Sequence, residues 1–170
     1  DLENRFVKSN SFKTILKYST LNISPSQFIY DLLEKYNVES IYIPNYLNLD
    51  LYPYYKRLLY KPKLLWIRSF HKIYNPEMAI ETLRLLQKKY PNCRLCMVGP
   101  DKDNSINKIK KNAEKLKIHK NLTLTGRLTK NQIVKLAKDY DVFINTTNFD
   151  NLPISVLEAM ALGLPVVSTN

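Results

Sequence analysis

Cysteine is scarce, membrane-length apolar runs are missing and no nucleic-acid signature is present, and each lack closes off a class of function. The 170-residue chain has two cysteines, Cys93 and Cys96, in a C-x-x-C spacing. Without a second such pair they fall short of a structural zinc site. In Cys93-Arg94-Leu95-Cys96-Met97-Val98 both read as reduced residues of one strand, where positions i and i+3 face opposite sides of a sheet. No apolar run approaches the roughly 18 residues of a membrane-spanning helix, and the opening DLENRFVKSN is acidic and polar rather than signal-like. The chain is therefore expected to be soluble and cytoplasmic. It begins without methionine and is read as a piece of a longer protein. Repeats of fixed period and low-complexity segments are also missing.

What is present is an ordinary globular composition, 45% hydrophobic and 24% charged, with a net charge of +11. The basic excess is spread over both halves of the chain. Its densest cluster, Lys108, Lys110, Lys111, Lys115 and Lys117, lies on one expected helix and reads first as a solvated face, next as a membrane-facing surface. Nucleic acid ranks third, because no binding motif accompanies the charge.

From Lys61 onward apolar runs alternate with amphipathic stretches. Strands are expected at 63–67, 94–98, 122–125, 142–144 and 166–167. Helices are expected at about 76–89, opened by Pro76, at 105–116, from a Thr129 cap to about 138, and at 154–162. Apolar strands separated by helical crossovers imply an α/β fold, a doubly wound parallel sheet covered on both faces, with ligands beyond the carboxyl ends of the strands. This domain is expected to span 61–170 and to be incomplete at its C-terminus.

Residues 1–60 differ. A strand is expected near Phe12 to Leu16, then a helix to about Tyr36 capped by Ser24, with Pro25 in its first turn and Gln27 reaching back to the cap. A strand at 40–43 follows. The tyrosine-rich segment NYLNLDLYPYYKRLLYKP reads as a linker into the α/β domain, or as rings packed on that domain.

Chemistry concentrates in the last stretch, NTTNFDNLPISVLEAMALGLPVVSTN. Asp150 falls in the loop after the fourth strand of the sheet and Glu158 in the following helix. The N-terminus of such a helix offers free N–H groups and a partial positive charge to an anion, while carboxylates there accept hydrogen bonds from sugar hydroxyls. The pattern suits a sugar nucleotide. Taken singly, Glu158 also reads as a dipole-favoured acid and Asp150 as a turn former.

Asp150, Glu158-Ala159-Met160-Ala161 and Gly163-Leu164-Pro165-Val166-Val167 together resemble the signature of family 4 retaining glycosyltransferases of the GT-B fold, E-x7-E followed by A-M-A-x-G-x-P-V-V. Residues 24–48 resemble the end of that family's N-terminal Rossmann domain. The stretches 63–70, 93–100 and 121–129 resemble the first three strands of its donor-binding domain. The resemblance implies that Glu158 binds the donor ribose and that Asp150 contacts the transferred sugar, with a shorter reach than the usual Glu. It implies that Arg68 grips the diphosphate, a task suited to a guanidinium fork. The usual phosphate lysine is replaced by Ile73, with Lys72 one residue early as the candidate substitute. The amides of Asn151, Leu152 and Ile154 would face the donor, Pro153 having none, and Gly126, Arg127 and Leu128 would cradle the base.

The implied activity is transfer of a hexose, with retention, from a nucleotide-diphosphate sugar, UDP or GDP linked, to an acceptor hydroxyl of a glycan or lipid-linked substrate. No metal and no nucleic acid are expected, and peripheral membrane association is. The glycine-rich loop, the acceptor site and the segment closing the second domain are expected outside the chain, which alone is expected to bind donor weakly and not to catalyse transfer. Asp101-Lys102-Asp103 and His71 read as solvated loop and cleft or surface residues. The rival readings are a GT-B-like sugar-nucleotide epimerase and a noncatalytic polyanion-binding module.

Overall fold

A computed structural model of the chain describes residues 2–169, with all side chains except those of Leu2 and Arg5. The chain divides into two compact units. The first runs to Leu47 and takes in Phe149–Pro153; the second comprises Asn48–Asn148 and continues from Ile154.

The first unit contains α1 (Leu2–Lys8), α2 (Asn10–Tyr18), β1 (Ile23–Ser24), α3 (Gln27–Lys35) and β2 (Ile41–Tyr42). The strand expected near Phe12 to Leu16 is instead the middle of α2. Ser9 caps it by accepting from the Phe12 N–H at 3.3 Å, and Phe12 and Leu16, one turn apart, pack against Phe6, Leu32 and Leu33. The four-residue spacing of those two rings and branches decides for helix over the β-branched Thr14 and Ile15 between them. The α3 cap also differs from expectation: Ser26, not Ser24, accepts from the Ile29 N–H, at 3.3 Å. Ser24 is needed elsewhere, since β1 pairs in parallel with β2 and the Ser24 hydroxyl is bonded to that of Ser40 at 2.9 Å. Gln27 becomes the first helical residue and turns its amide forward to Asp31, at 2.7 Å.

The second unit begins with the tyrosine-rich segment, irregular apart from a 3-10 turn at Leu49–Leu51. It continues through β3 (Lys63–Ile67), α4 (Pro76–Gln87), β4 (Arg94–Val98), α5 (Ser105–Lys115), β5 (Leu122–Gly126), α6 (Lys130–Ala137), β6 (Val142–Asn145), α7 (Ile154–Ala161) and β7 (Val166–Ser168). These five strands form one parallel sheet in the order β5-β4-β3-β6-β7. The chain leaves β3 toward β4 and β5 on one side, then returns to place β6 and β7 on the other. The crevice of such a sheet lies beyond the carboxyl ends of the two strands where direction switches, here β3 and β6.

Local signals explain the element boundaries. Pro76 opens α4 behind Asn75, whose left-handed backbone (φ 47°) lets its side chain accept from Met78 N–H at 3.2 Å. Thr129 and Gln132 form a reciprocal capping box at α6. The core gathers Trp66, Phe70, Leu83, Leu95, Met97, Ile109 and Ile118, all fully buried, each contributing about 1.5–3 kcal/mol from burial. The Trp66 indole donates to Thr146 Oγ1, which in turn donates to the Tyr74 carbonyl, both at 2.9 Å. The five lysines at 108–117 all lie exposed.

Cys96 is a β4 residue, but Cys93 stands one position ahead of that strand rather than in it, because Asn121 holds its carbonyl at 2.6 Å. Both thiols are free and buried, and burial raises the pKa of each.

Gly99 closes β4 at the carboxyl edge with φ +153°, and a Cβ there would stand 1.8 Å from the Arg68 carbonyl oxygen. Gly126 has φ +72° but open space around its Cβ position. Gly99→Ala is therefore expected to cost more than about 3 kcal/mol in urea unfolding, above ordinary overpacking because the added Cβ meets backbone, against about 1–2 kcal/mol of backbone strain for Gly126→Ala. Equal costs would show that the close approach at Arg68 relaxes freely.

Candidate functional site

The carboxyl edge of the sheet is assembled from the residues that end each strand. After β3, the Arg68 N–H donates to the Val98 carbonyl at 3.0 Å, and its guanidinium lies over the Tyr74 ring, 5.2 Å from the centroid. Next door, the Gly99 N–H donates to the Gly126 carbonyl at 2.9 Å. After β6, Thr147 donates to the Asn145 side chain at 2.8 Å, and Asn145 donates to Ser168 at 3.1 Å. These bonds fix the rim on which ligand-facing groups stand.

Lys72 opens a 3-10 turn (Lys72–Tyr74). His71, expected at the cleft or on the surface, caps that turn: its Nδ1 accepts from the Ile73 N–H at 3.2 Å. The Lys72 N–H donates to Asp103 Oδ2 at 2.9 Å. The other Asp103 oxygen accepts from the hydroxyl and the N–H of Ser105, and these bonds, the hydroxyl's first, hold its carboxyl below the usual range. Asp103 thus does the capping that Asn104 does not. No group of three or more metal-ligating side chains occurs among the described residues.

Glu158, in the middle of α7, is 3% exposed. A carboxylate at that depth is costly unless paired. Its Oε1 accepts from the Tyr52 hydroxyl at 2.9 Å, a bond spanning 106 positions of sequence, and also from Lys130 Nζ. Tyr52 is itself buried, and burial, with the Glu158 carboxylate beside it, raises its pKa. At Lys130 burial acts to lower the pKa, but the bond to Glu158 and its charge outweigh it, leaving the ammonium above its ordinary value. Lys130 lines a surface cavity of about 410 Å³ together with Arg127, Leu128, Thr129, Gln132 and Ile133. Near the start of α7, the Ser155 hydroxyl is buried and has no hydrogen-bond partner among the described residues.

The sequence candidates therefore separate. Arg127 and Leu128 share a cavity wall with Lys130, which is paired with Glu158. Arg68, Lys72, Gly126 and Ile154 belong to the same unit, whereas Asp150, Asn151 and Leu152 group with the first unit. Sequence reasoning missed Tyr52, Lys130 and Ser155. Tyr52 is one of five tyrosines between positions 46 and 60 with no period to single it out. Lys130 directly follows the Thr129 cap, close enough to the Gly126 turn to have been suspected.

The family model for glycosyl transferases group 1 matches residues 56–170. The chain belongs to the glycosyl transferases group 1 family. Within curated proteins it is 34% identical over 92 residues to the uncharacterized glycosyltransferase MJ1059 of Methanocaldococcus jannaschii, covering 54% of this chain and 21% of that protein. It is 30% identical over 92 residues to the sulfoquinovosyl transferase SQD2 of Arabidopsis thaliana, covering 54% of the chain and 17% of that protein. The matched region thus spans about a fifth of these relatives' length. Among solved structures, Anabaena Alr3699/HepE in complex with UDP-glucose superposes with a TM-score of 0.80 at 15% identity, over 99% of this chain and 51% of that one. TarM superposes at 0.79 with 22% identity, over 95% and 32%. These neighbours share the GT-B type of α/β fold, and the family match takes in every strand of the five-stranded sheet.

Both raised pKa values carry the same sign for stability. A lysine or tyrosine whose folded pKa is raised contributes stability that is complete below its unfolded value, about 10.4 and 10 respectively, and is lost as pH climbs through the folded value. Above about pH 10 the wild type is expected to lose unfolding free energy more steeply than a Tyr52→Phe/Lys130→Met variant, followed by urea titration across pH. Parallel curves would mean that the cluster is not coupled in solution.

Proposed function

We propose that the chain is the donor-binding part of a family 4 retaining glycosyltransferase, which transfers a hexose from a UDP- or GDP-linked sugar to a hydroxyl of a glycan or lipid-linked acceptor. The observation that carries this reading is a buried carboxylate, Glu158, at the carboxyl side of a parallel sheet and tied through Lys130 to the cavity beside the Gly126 turn. A carboxylate there is suited to ribose hydroxyls, and the buried Ser155 hydroxyl near the start of α7 adds an unspent donor near backbone N–H groups suited to phosphate. Solved neighbours recorded with UDP and glucose, or with UDP-glucose, agree with such a donor.

In this reading Arg68, assisted by Lys72, meets the diphosphate. Gly126, Arg127 and Leu128 face the base. Asp150 and the amides of Asn151, Leu152 and Ile154 address the transferred sugar. Departure of the nucleoside diphosphate is aided by fixed positive charge and N–H dipoles rather than by a metal ion, and the protein contributes mainly positioning. Residues 1–60 are assigned to the end of an N-terminal Rossmann domain and its linker, and 61–170 to the donor domain. The whole protein works at the cytoplasmic face of a membrane, to which the exposed lysines of α5 contribute attraction. The 170 residues alone bind donor weakly and do not transfer sugar.

Calorimetric titration with UDP, GDP and ADP at moderate salt tests this. One of the three is expected to bind, and Glu158→Ala to weaken it by at least about tenfold, the scale of a hydrogen bond to a charged group. Binding that survives Glu158→Ala, or salt-sensitive polyanion binding alone, would overturn the donor-site reading in favour of a basic surface.

A further inference from the structure

Glu158 is served by two donors of unlike kind, and both are spent on the same oxygen. The Tyr52 hydroxyl and the Lys130 ammonium each meet Oε1, while no hydrogen bond to Oε2 occurs among the described residues. An ionised carboxylate has about four lone-pair sites over its two oxygens. Half of that capacity is therefore left on one oxygen of a side chain that is only 4% exposed.

The terminal torsion of a glutamate is broad and roughly two-fold, so the side chain has little preference of its own for which oxygen faces which way. Lys130 does not supply the preference. Its ammonium is a compact point charge on a flexible stem with three rotatable donors, its side chain is 60% exposed, and either carboxylate oxygen, or both at once, satisfies it. The Tyr52 hydroxyl is different. It is a single donor on a rigid ring, and the ring is 7% exposed and anchored in the segment that precedes β3. Arg57 pins that segment nearby, its guanidinium donating to the carbonyls of Ala137, Tyr140 and Leu162 at 2.9 Å each.

We propose that Tyr52 is a positioning residue of the donor site: by fixing Oε1 of Glu158 it keeps Oε2 open as the acceptor for the vicinal hydroxyls of a nucleoside diphosphate, and prevents Lys130 from closing over both oxygens. The proposal rests on the assignment of Glu158 to the ribose. It gives a residue outside the sheet and its helices control over a contact that it does not itself make. Without the phenol hydroxyl, Lys130 competes with the ligand for Oε2.

The test compares UDP, and in parallel GDP, with its 2′,3′-dideoxy analogue on the full 170-residue chain, as wild type, Tyr52→Phe, Glu158→Gln and the double variant. Tyr52→Phe is expected to weaken whichever of the two binds by about five- to tenfold and to leave its dideoxy analogue unchanged. In the Glu158→Gln background it is expected to add nothing further, since a residue acting through another is non-additive with it. The ratio of the two affinities is independent of the folded fraction, so modest destabilisation by Tyr52→Phe does not mimic the result. Should that variant melt below the assay temperature, trimethylamine oxide restores the compact state for the same measurement. Equal losses for the nucleotide that binds and its analogue, or losses that add to those of Glu158→Gln, overturn the role of Tyr52 while leaving the ribose assignment standing. An unchanged affinity for that nucleotide in Glu158→Gln, or binding of neither UDP nor GDP by the wild type, overturns the ribose assignment and this inference with it.

Discussion

A carboxylate held at 3% exposure sets the terms for the second unit. Removing an ionised group from water is tolerated only where partners replace the lost hydration, and Glu158 finds its partners in remote parts of the chain. Tyr52 arrives from the segment before the sheet and Lys130 from the first turn of α6. Those two contacts demand that α6, α7 and the tyrosine-rich segment come together in one arrangement. Arg57 meets the same demand from the other end, joining carbonyls at the end of α6 and just beyond it to the Leu162 carbonyl just beyond α7. A cation at helix C-termini is favoured by the aligned peptide dipoles, so the clamp works with the helices it joins.

The sheet supplies the platform on which that carboxylate becomes useful. Parallel strands with both faces covered need near-continuous apolar sequence, and β3 and β4 meet the requirement with Leu64, Leu65, Trp66, Leu95, Cys96 and Met97 all buried. Their polar residues are displaced to the strand ends. Arg68, Gly99 and Gly126 follow or end the strands on one side, and Gly99 lets its backbone come close enough to Arg68 that no larger residue fits. The concentration of hydrogen-bonding groups at the carboxyl edge follows from the demands of the apolar interior.

The sequence was most legible where local and tertiary preferences agree. Every strand and helix from Lys63 onward falls within a few residues of its expected place, because apolar runs, Pro76, the Thr129 box and the Gly126 turn all point the same way. It was least legible where a long-range partner overrides a local pattern. Ser24 has the look of a helix cap, but its hydroxyl is bonded to that of Ser40. The stretch Phe12–Leu16 carries β-branched residues, yet its apolar contacts recur at helical spacing. Glu158 was visible through its neighbours in sequence, while Tyr52 and Lys130, 106 and 28 positions away, left no pattern to read. The spacing between Asp150 and Glu158 likewise gave no sign that the two would group with different compact units.

On the proposed reading, the carboxyl edge around Glu158, and not the lysine face of α5, meets the nucleoside diphosphate. Amide chemical-shift mapping of the isotopically labelled chain during separate titrations with UDP and GDP is the measurement that separates the two surfaces. Saturable shifts are expected at Gly126 to Lys130 and at Ser155 to Glu158, with Lys108 to Lys117 silent. Shifts confined to Lys108 to Lys117, or none with either nucleotide at millimolar concentration, would rule it out.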